Sequence, residues 1–241
     1  MYKDKLYKFV RYVGYNLLLL WWILGLLFAC YIIYHYPIGG RWKEALPNLD
    51  KNLYNRICMQ LHFIGGIIVQ ILGPVQLVPQ FRKWEIFNTK IHRWTGRVYL
   101  LGMCGTFLGG EMFMFANPTV GGLNMTIAFG MYGICFLFCG GMAFYYARRK
   151  QFRQHMYWAL LTLCLGIGSL IYRGLYLFSF VCGYHLHNVE DFMRPLDQIF
   201  DWLFFIPNML VTCLVILVLH CRYTRNSKLK YNELEKVEEQ C

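Results

Sequence analysis

Seven polar side chains interrupt the apolar runs of this chain, and their types limit what chemistry it can do. His92 and His155 each open such a run, in the stretches IHRWTGRVY and RRKQFRQHMYW. Two neutral imidazoles at equal depth on different helices can ligate a haem b iron axially. Arg93, Arg97 and Arg153 stand at the same level, where guanidinium groups meet porphyrin propionates or lipid phosphates. The other five, His62, Glu111, Asn124, Arg173 and Asn208, fall one each on five different runs. An ionisable group at membrane depth costs about 2.5 kcal/mol or more, so each needs a partner, a cavity or an interface. Arg173 does not deprotonate, and its burial calls for a carboxylate such as Glu111 or an aqueous cleft. The five together suit a polar pocket for a small molecule or a lipid. They equally suit one buried ion pair that fixes helix packing.

The elements that must position these groups follow from the apolar runs, at about 12–34, 57–79, 94–116, 122–147, 156–182 and 199–220. A bilayer core takes about 20 helical residues to cross, and each run is that long. Lipid offers the backbone no hydrogen-bond partner, so the runs must be helices. The expected fold is therefore all-α, an integral membrane six-helix bundle. Residues 1–11 and 221–241 flank it, the latter a tail that is basic and then acidic. Only 15% of the chain is charged and 57% is hydrophobic, against about 25% charged in a soluble domain.

The basic residues divide unevenly between the two ends of the bundle. Seventeen fall with the termini and the even-numbered loops, including Lys3, Lys5, Lys8, Arg82, Lys83, Arg148, Arg149 and Arg222. Five fall on the other side, at Arg41, Lys43, Lys51, Arg56 and Arg194. This asymmetry predicts both termini cytosolic. The net charge of +11 is thus a topology signal, directed at the lipid bilayer and its anionic headgroups, with no nucleic-acid partner implied.

With that orientation, His62 and Glu111 lie about five residues below the outer helix ends, and Arg173 and Asn208 about eight or nine. Asn124 sits near the outer start of the fourth run. On the fifth run His155, Ala159, Thr162, Gly166, Ser169 and Arg173 share one face, small between its ends. On the second, His62, Gly66, Gln70 and Gly73 do the same. Such stripes admit close helix packing or leave a slot for a flat ligand. Pro74 and Pro207 should kink their helices and free backbone carbonyls, one of which Asn208 is placed to satisfy.

The stretch HFIGGIIVQILGPVQLVPQFR followed by IHRWTGRVYL, the histidine-led fifth run and the segment DWLFFIPNML resemble a family of membrane proteins catalogued as domain of unknown function 2306. The resemblance covers roughly residues 55–215 and implies a multi-pass membrane protein, without a reaction. More weakly, the arrangement is similar to six-helix b-type cytochromes, which place two histidine pairs on four central helices. This chain has no histidine on the fourth run, and His62 would have to pair with His35, His185 or His187. No nucleophile elbow, HExxH or phosphate-binding loop occurs, so the only enzymatic role in view is a haem-dependent oxidoreductase. Binding or transport of a small molecule or lipid, haem-mediated electron transfer, and a scaffold role in membrane assembly are the functions the residues admit.

Overall fold

Lipid leaves each apolar run to satisfy its backbone within protein, and in the computed structural model every run is α-helical. The structure describes residues 2–34, 52–77, 88–184 and 193–238, and no strand occurs among them. The helices are α1 Tyr2–Ile33, α2 Leu53–Leu77, α3 Asn88–Ala116, α4 Gly122–Arg148, α5 Phe152–Gly166, α6 Gly168–Val181, α7 Pro195–Leu203 and α8 Ile206–Glu238. They make six candidate membrane spans: α1 to α4 give one each, α5 with α6 gives the fifth, and α7 with α8 gives the sixth. The fold is an all-α, six-span membrane bundle. Large apolar side chains such as Leu17, Ile134, Phe138 and Leu214 are exposed on its outside, as lipid-facing positions should be.

The helices outrun the apolar runs at several ends. Helix α1 continues back through the N-terminal basic segment, α2 and α3 begin before their apolar runs, and α8 extends to Glu238. Once a helix is nucleated, adding a polar residue costs little, so hydropathy marks the bilayer and not the helix. His35, His185, His187, Arg41, Lys43, Lys51, Arg82 and Lys83 lie outside the described residues.

Glycine sets how closely the helices approach. A Cβ on Gly65 would collide with the Gly102 carbonyl and the Thr106 amide, and one on Gly109 with the Cys58 carbonyl. Helices α2 and α3 therefore touch backbone to backbone, the contact that small residues allow in membranes. Helix α1 lies on α2 with the Trp21 ring across Gly73. The buried centre is formed by Trp21, Val69, Tyr99, Phe136, Leu165 and Phe204, among others.

The fifth span is not one helix. It breaks at Ile167, where Leu170 N–H turns back to the Ile167 carbonyl at 2.9 Å. An unbroken helix would pair the carbonyls of Cys164, Leu165 and Gly166 with the amides of Gly168, Ser169 and Leu170. Three side chains from three other spans take those carbonyls instead. Asn208 Nδ2 donates to Cys164 at 2.7 Å, Tyr132 Oη to Leu165 at 2.7 Å, and Gln70 Nε2 to Gly166 at 2.8 Å. Broken backbone at membrane depth is tolerated only where protein satisfies it, and here it does. The sixth span is also interrupted, at Phe204 and Phe205, just before Pro207. A proline has no N–H to continue the ladder, which accounts for the position of this break.

Candidate functional site

The break in the fifth span stands beside a cavity of about 610 Å³. It lies in the half of the bundle away from the termini, walled by all six spans. Its lining is largely aromatic, with rings such as Phe107, Phe129, Tyr132, Tyr172 and Tyr176, and it includes His62, Gln70, Glu111 and Arg173. A volume of this size falls within the range of small-molecule sites, about 300–1,000 Å³.

His62 and Thr106 lock α2 to α3 at the cavity wall. The His62 Nδ1 lies 2.8 Å from the Thr106 carbonyl, and Thr106 Oγ1 donates to the His62 carbonyl at 2.9 Å. A carbonyl only accepts, so the proton sits on Nδ1 and Nε2 is left as an acceptor. Glu111 rests its carboxylate against the glycine face of α4, where a Cβ on Gly133 would come within 2.6 Å of Oε1. Among the described residues this carboxylate has neither a hydrogen bond nor an ion pair. Arg173 donates from Nη1 to the Ser169 carbonyl at 2.9 Å, and its guanidinium carbon lies 4.3 Å from the centroid of Phe28. Arg173 and Glu111 thus line the same cavity without pairing to each other.

The remaining sequence candidates sit elsewhere. Asn208 caps the Cys164 carbonyl at the break and does not line the cavity. Asn124 faces α7, donating to the Gln198 carbonyl at 3.2 Å and to Asp201 Oδ2 at 2.9 Å while accepting from Trp202 Nε1 at 3.0 Å. His92 and His155 meet at the end of the bundle that carries the termini. Their ring centroids are 6.5 Å apart and their planes stand at 76°. The His155 Nδ1 lies 2.8 Å from the Ala143 carbonyl, which only accepts, so Nδ1 is the donor of this bond. The stripe running from His155 to Arg173 is divided by the break at Ile167.

A family model described as "Predicted membrane protein (DUF2306)" matches residues 59–216. The chain belongs to this family. It is a multi-pass membrane protein, and no curated protein or solved structure matches it. In this DUF2306 chain the matched stretch carries the whole cavity lining apart from Phe28 and Ile32, which α1 adds.

The same DUF2306 stretch holds two carboxylates that the sequence reading did not place at a site. Asp197 and Asp201 are one turn apart on α7 and both are fully buried. Tyr184 Oη donates to Asp197 Oδ2, and Tyr172 Oη reaches Asp201 Oδ1 at 3.4 Å. A usable signal was present. In PLDQIFDW the aspartates at i and i+4 lie on the same helical face as Phe200, with no basic residue between.

Proposed function

We propose that the chain binds a small amphipathic organic molecule in the cavity, with an apolar body against the rings and a positively charged or donor-bearing head against Glu111. The observation that carries this reading is the Glu111 carboxylate, held in an aromatic-walled cavity with no protein partner among the described residues. A half-buried carboxylate in an aromatic cavity without a partner carries part of its desolvation cost, and a bound donor or ammonium group offsets it. Aromatic faces add cation–π attraction to such a group. His62 Nε2 and the Arg173 guanidinium offer an acceptor and a donor for a second polar group. The basic asymmetry of the sequence supports termini in the cytosol, so the cavity opens in the outer half of the bilayer. Movement of the molecule between leaflet and surface is the transport role this placement suits.

The test is a binding screen by native mass spectrometry on detergent-purified protein, using hydrophobic amines, zwitterions and neutral analogues of matched size. Amines should bind best, and Glu111→Gln should weaken them about 10- to 100-fold, from the roughly 1.5–3 kcal/mol of a hydrogen bond to a charged group. Equal retention of amines and neutral analogues, unchanged by Glu111→Gln, would refute the assignment.

The imidazole pair favours a second reading, a single haem between His92 and His155. A centroid separation of 6.5 Å leaves, beyond the two half-rings, about the 4 Å that two ~2 Å metal–nitrogen bonds occupy. The carbonyl bond on His155 Nδ1 is the orienting contact that ligand histidines use. A Soret band in the purified protein is the discriminating observation.

A further inference from the structure

Behind the cavity wall, Asp197 and Asp201 form a second polar centre, separate from Glu111. Both are completely shielded from solvent. Among the described residues every group bonded to either carboxylate is neutral: Asn124 and Tyr172 at Asp201, and Tyr184 at Asp197. Neither aspartate has an ion pair among the described residues. Asp197 Oδ1 is moreover buried with no hydrogen-bond partner at all. Two ionised carboxylates one turn apart, unpaired and at membrane depth, would repel each other and carry an uncompensated desolvation cost.

We infer that Asp197 and Asp201 are a proton-binding site, holding at least one proton between them at neutral pH and connected to the cavity through Tyr172 and Tyr176. A proton is the occupant that the geometry takes. The Asp201 oxygens and Asp197 Oδ2 already accept from Asn124 and tyrosine hydroxyls, so a dehydrated metal ion would find too few free oxygens. Among the described residues no three histidine, cysteine or acidic side chains gather to hold a metal ion.

The connection is short. The Tyr172 and Tyr176 hydroxyls lie 3.3 Å apart, and Tyr172 reaches Asp201 at 3.4 Å. Both tyrosines line the cavity. Once the Tyr172 hydroxyl turns its O–H from Asp201 toward an acceptor in the cavity, a protonated acid can donate to the phenolic oxygen as that O–H is given up, with charge and atoms conserved. Among the described residues the charged and titratable groups around this centre are Tyr172 and Tyr176 on α6, Tyr184 beyond it, Arg194 beside the Tyr184 ring at 5.6 Å from its centroid, and Glu111, Arg173 and His62 across the cavity. Helix α4 contributes only the neutral Asn124. The site stands whether or not the cavity binds an organic ligand.

Infrared spectroscopy of the full chain in detergent tests it, by the carbonyl stretch of a protonated carboxylic acid at neutral pH and its shift in D₂O. Solvent-exposed carboxylates are ionised there and give no such band. The band should be present in the native protein, persist in Glu111→Gln, and disappear in Asp197→Asn or Asp201→Asn, whichever removes the proton-bearing acid. That variant should keep its folded yield, because an amide has the shape and charge of a protonated acid. A folded native protein without the band would overturn the proposal even if neither Asn variant folds. So would a band lost only in Glu111→Gln, or a missing band together with a melting temperature that rises with sodium or potassium.

Discussion

Replacing Gln70 by Met keeps an unbranched side chain of similar length and removes every polar bond it makes. In the native chain Gln70 is 1% exposed and joins three spans. Its Oε1 accepts from Trp21 Nε1 at 3.1 Å, and its Nε2 donates to the Gly166 carbonyl and to Ser169 Oγ, both at 2.8 Å. The Ser169 hydroxyl can rotate to another acceptor, but the Trp21 N–H and the Gly166 carbonyl are left unpaired. Interhelical hydrogen bonds within a membrane average about 0.6 kcal/mol and reach about 1.7. Two lost bonds therefore predict about 1–3 kcal/mol of destabilisation. Asn208→Leu removes one bond of the same break, to Cys164, and should cost about half as much. Reversible unfolding in mixed micelles, read by far-UV circular dichroism, gives both values on one scale. If Gln70→Met costs no more than Asn208→Leu, the side chains are not what satisfies the broken fifth span, and the account of that break fails.

Three further outcomes follow from particular contacts. Gly65→Ala puts a Cβ into the α3 backbone, which cannot rotate away, and should cost about 1–3 kcal/mol in the same unfolding assay. Gly133→Ala meets the movable end of Glu111 at 2.6 Å, and it should weaken amine binding while changing stability less than Gly65→Ala does. Cysteine labelling in a background freed of reactive thiols should reach positions 50, 118 and 190 from outside and position 230 from the cytosol; cytosolic labelling of position 50 would reverse the topology. Purified protein made with adequate haem should show a Soret band, lost in both His92→Ala and His155→Ala, if that pair ligates iron, whereas a colourless folded protein ends the haem reading.

The fold was legible because the bilayer imposes a length and a composition on each span, and both are visible residue by residue. The interruptions were not. The sequence around Ile167 reads GIG with no proline, and nothing local forbids a continuous helix there. What permits the break is the set of donors arriving from Gln70, Tyr132 and Asn208, each far away in the chain. Helix starts were also obscured, because interfacial residues lower the hydropathy without lowering helical preference.

Depth along a helix is fixed by residue number, but the direction a side chain faces is fixed by its neighbours. That difference explains which polar residues gathered. His62, Glu111 and Arg173 lie in the same half of the bundle and face one cavity. Asn124 and Asn208 lie in that half too, yet they turn to Asp201 and to the Cys164 carbonyl. Arg173 shows the same logic in reverse. Arg173 was expected to need a carboxylate such as Glu111 or an aqueous cleft; it is exposed at the cavity, with the Ser169 carbonyl and the Phe28 face as contacts. Glu111 is thereby left with an unanswered charge in the cavity, and Asp197 with an unanswered oxygen behind it. Among the described residues the half-buried Glu111 carboxylate and the Asp197 Oδ1 are thus left without partners, on the two sides of one tyrosine wall.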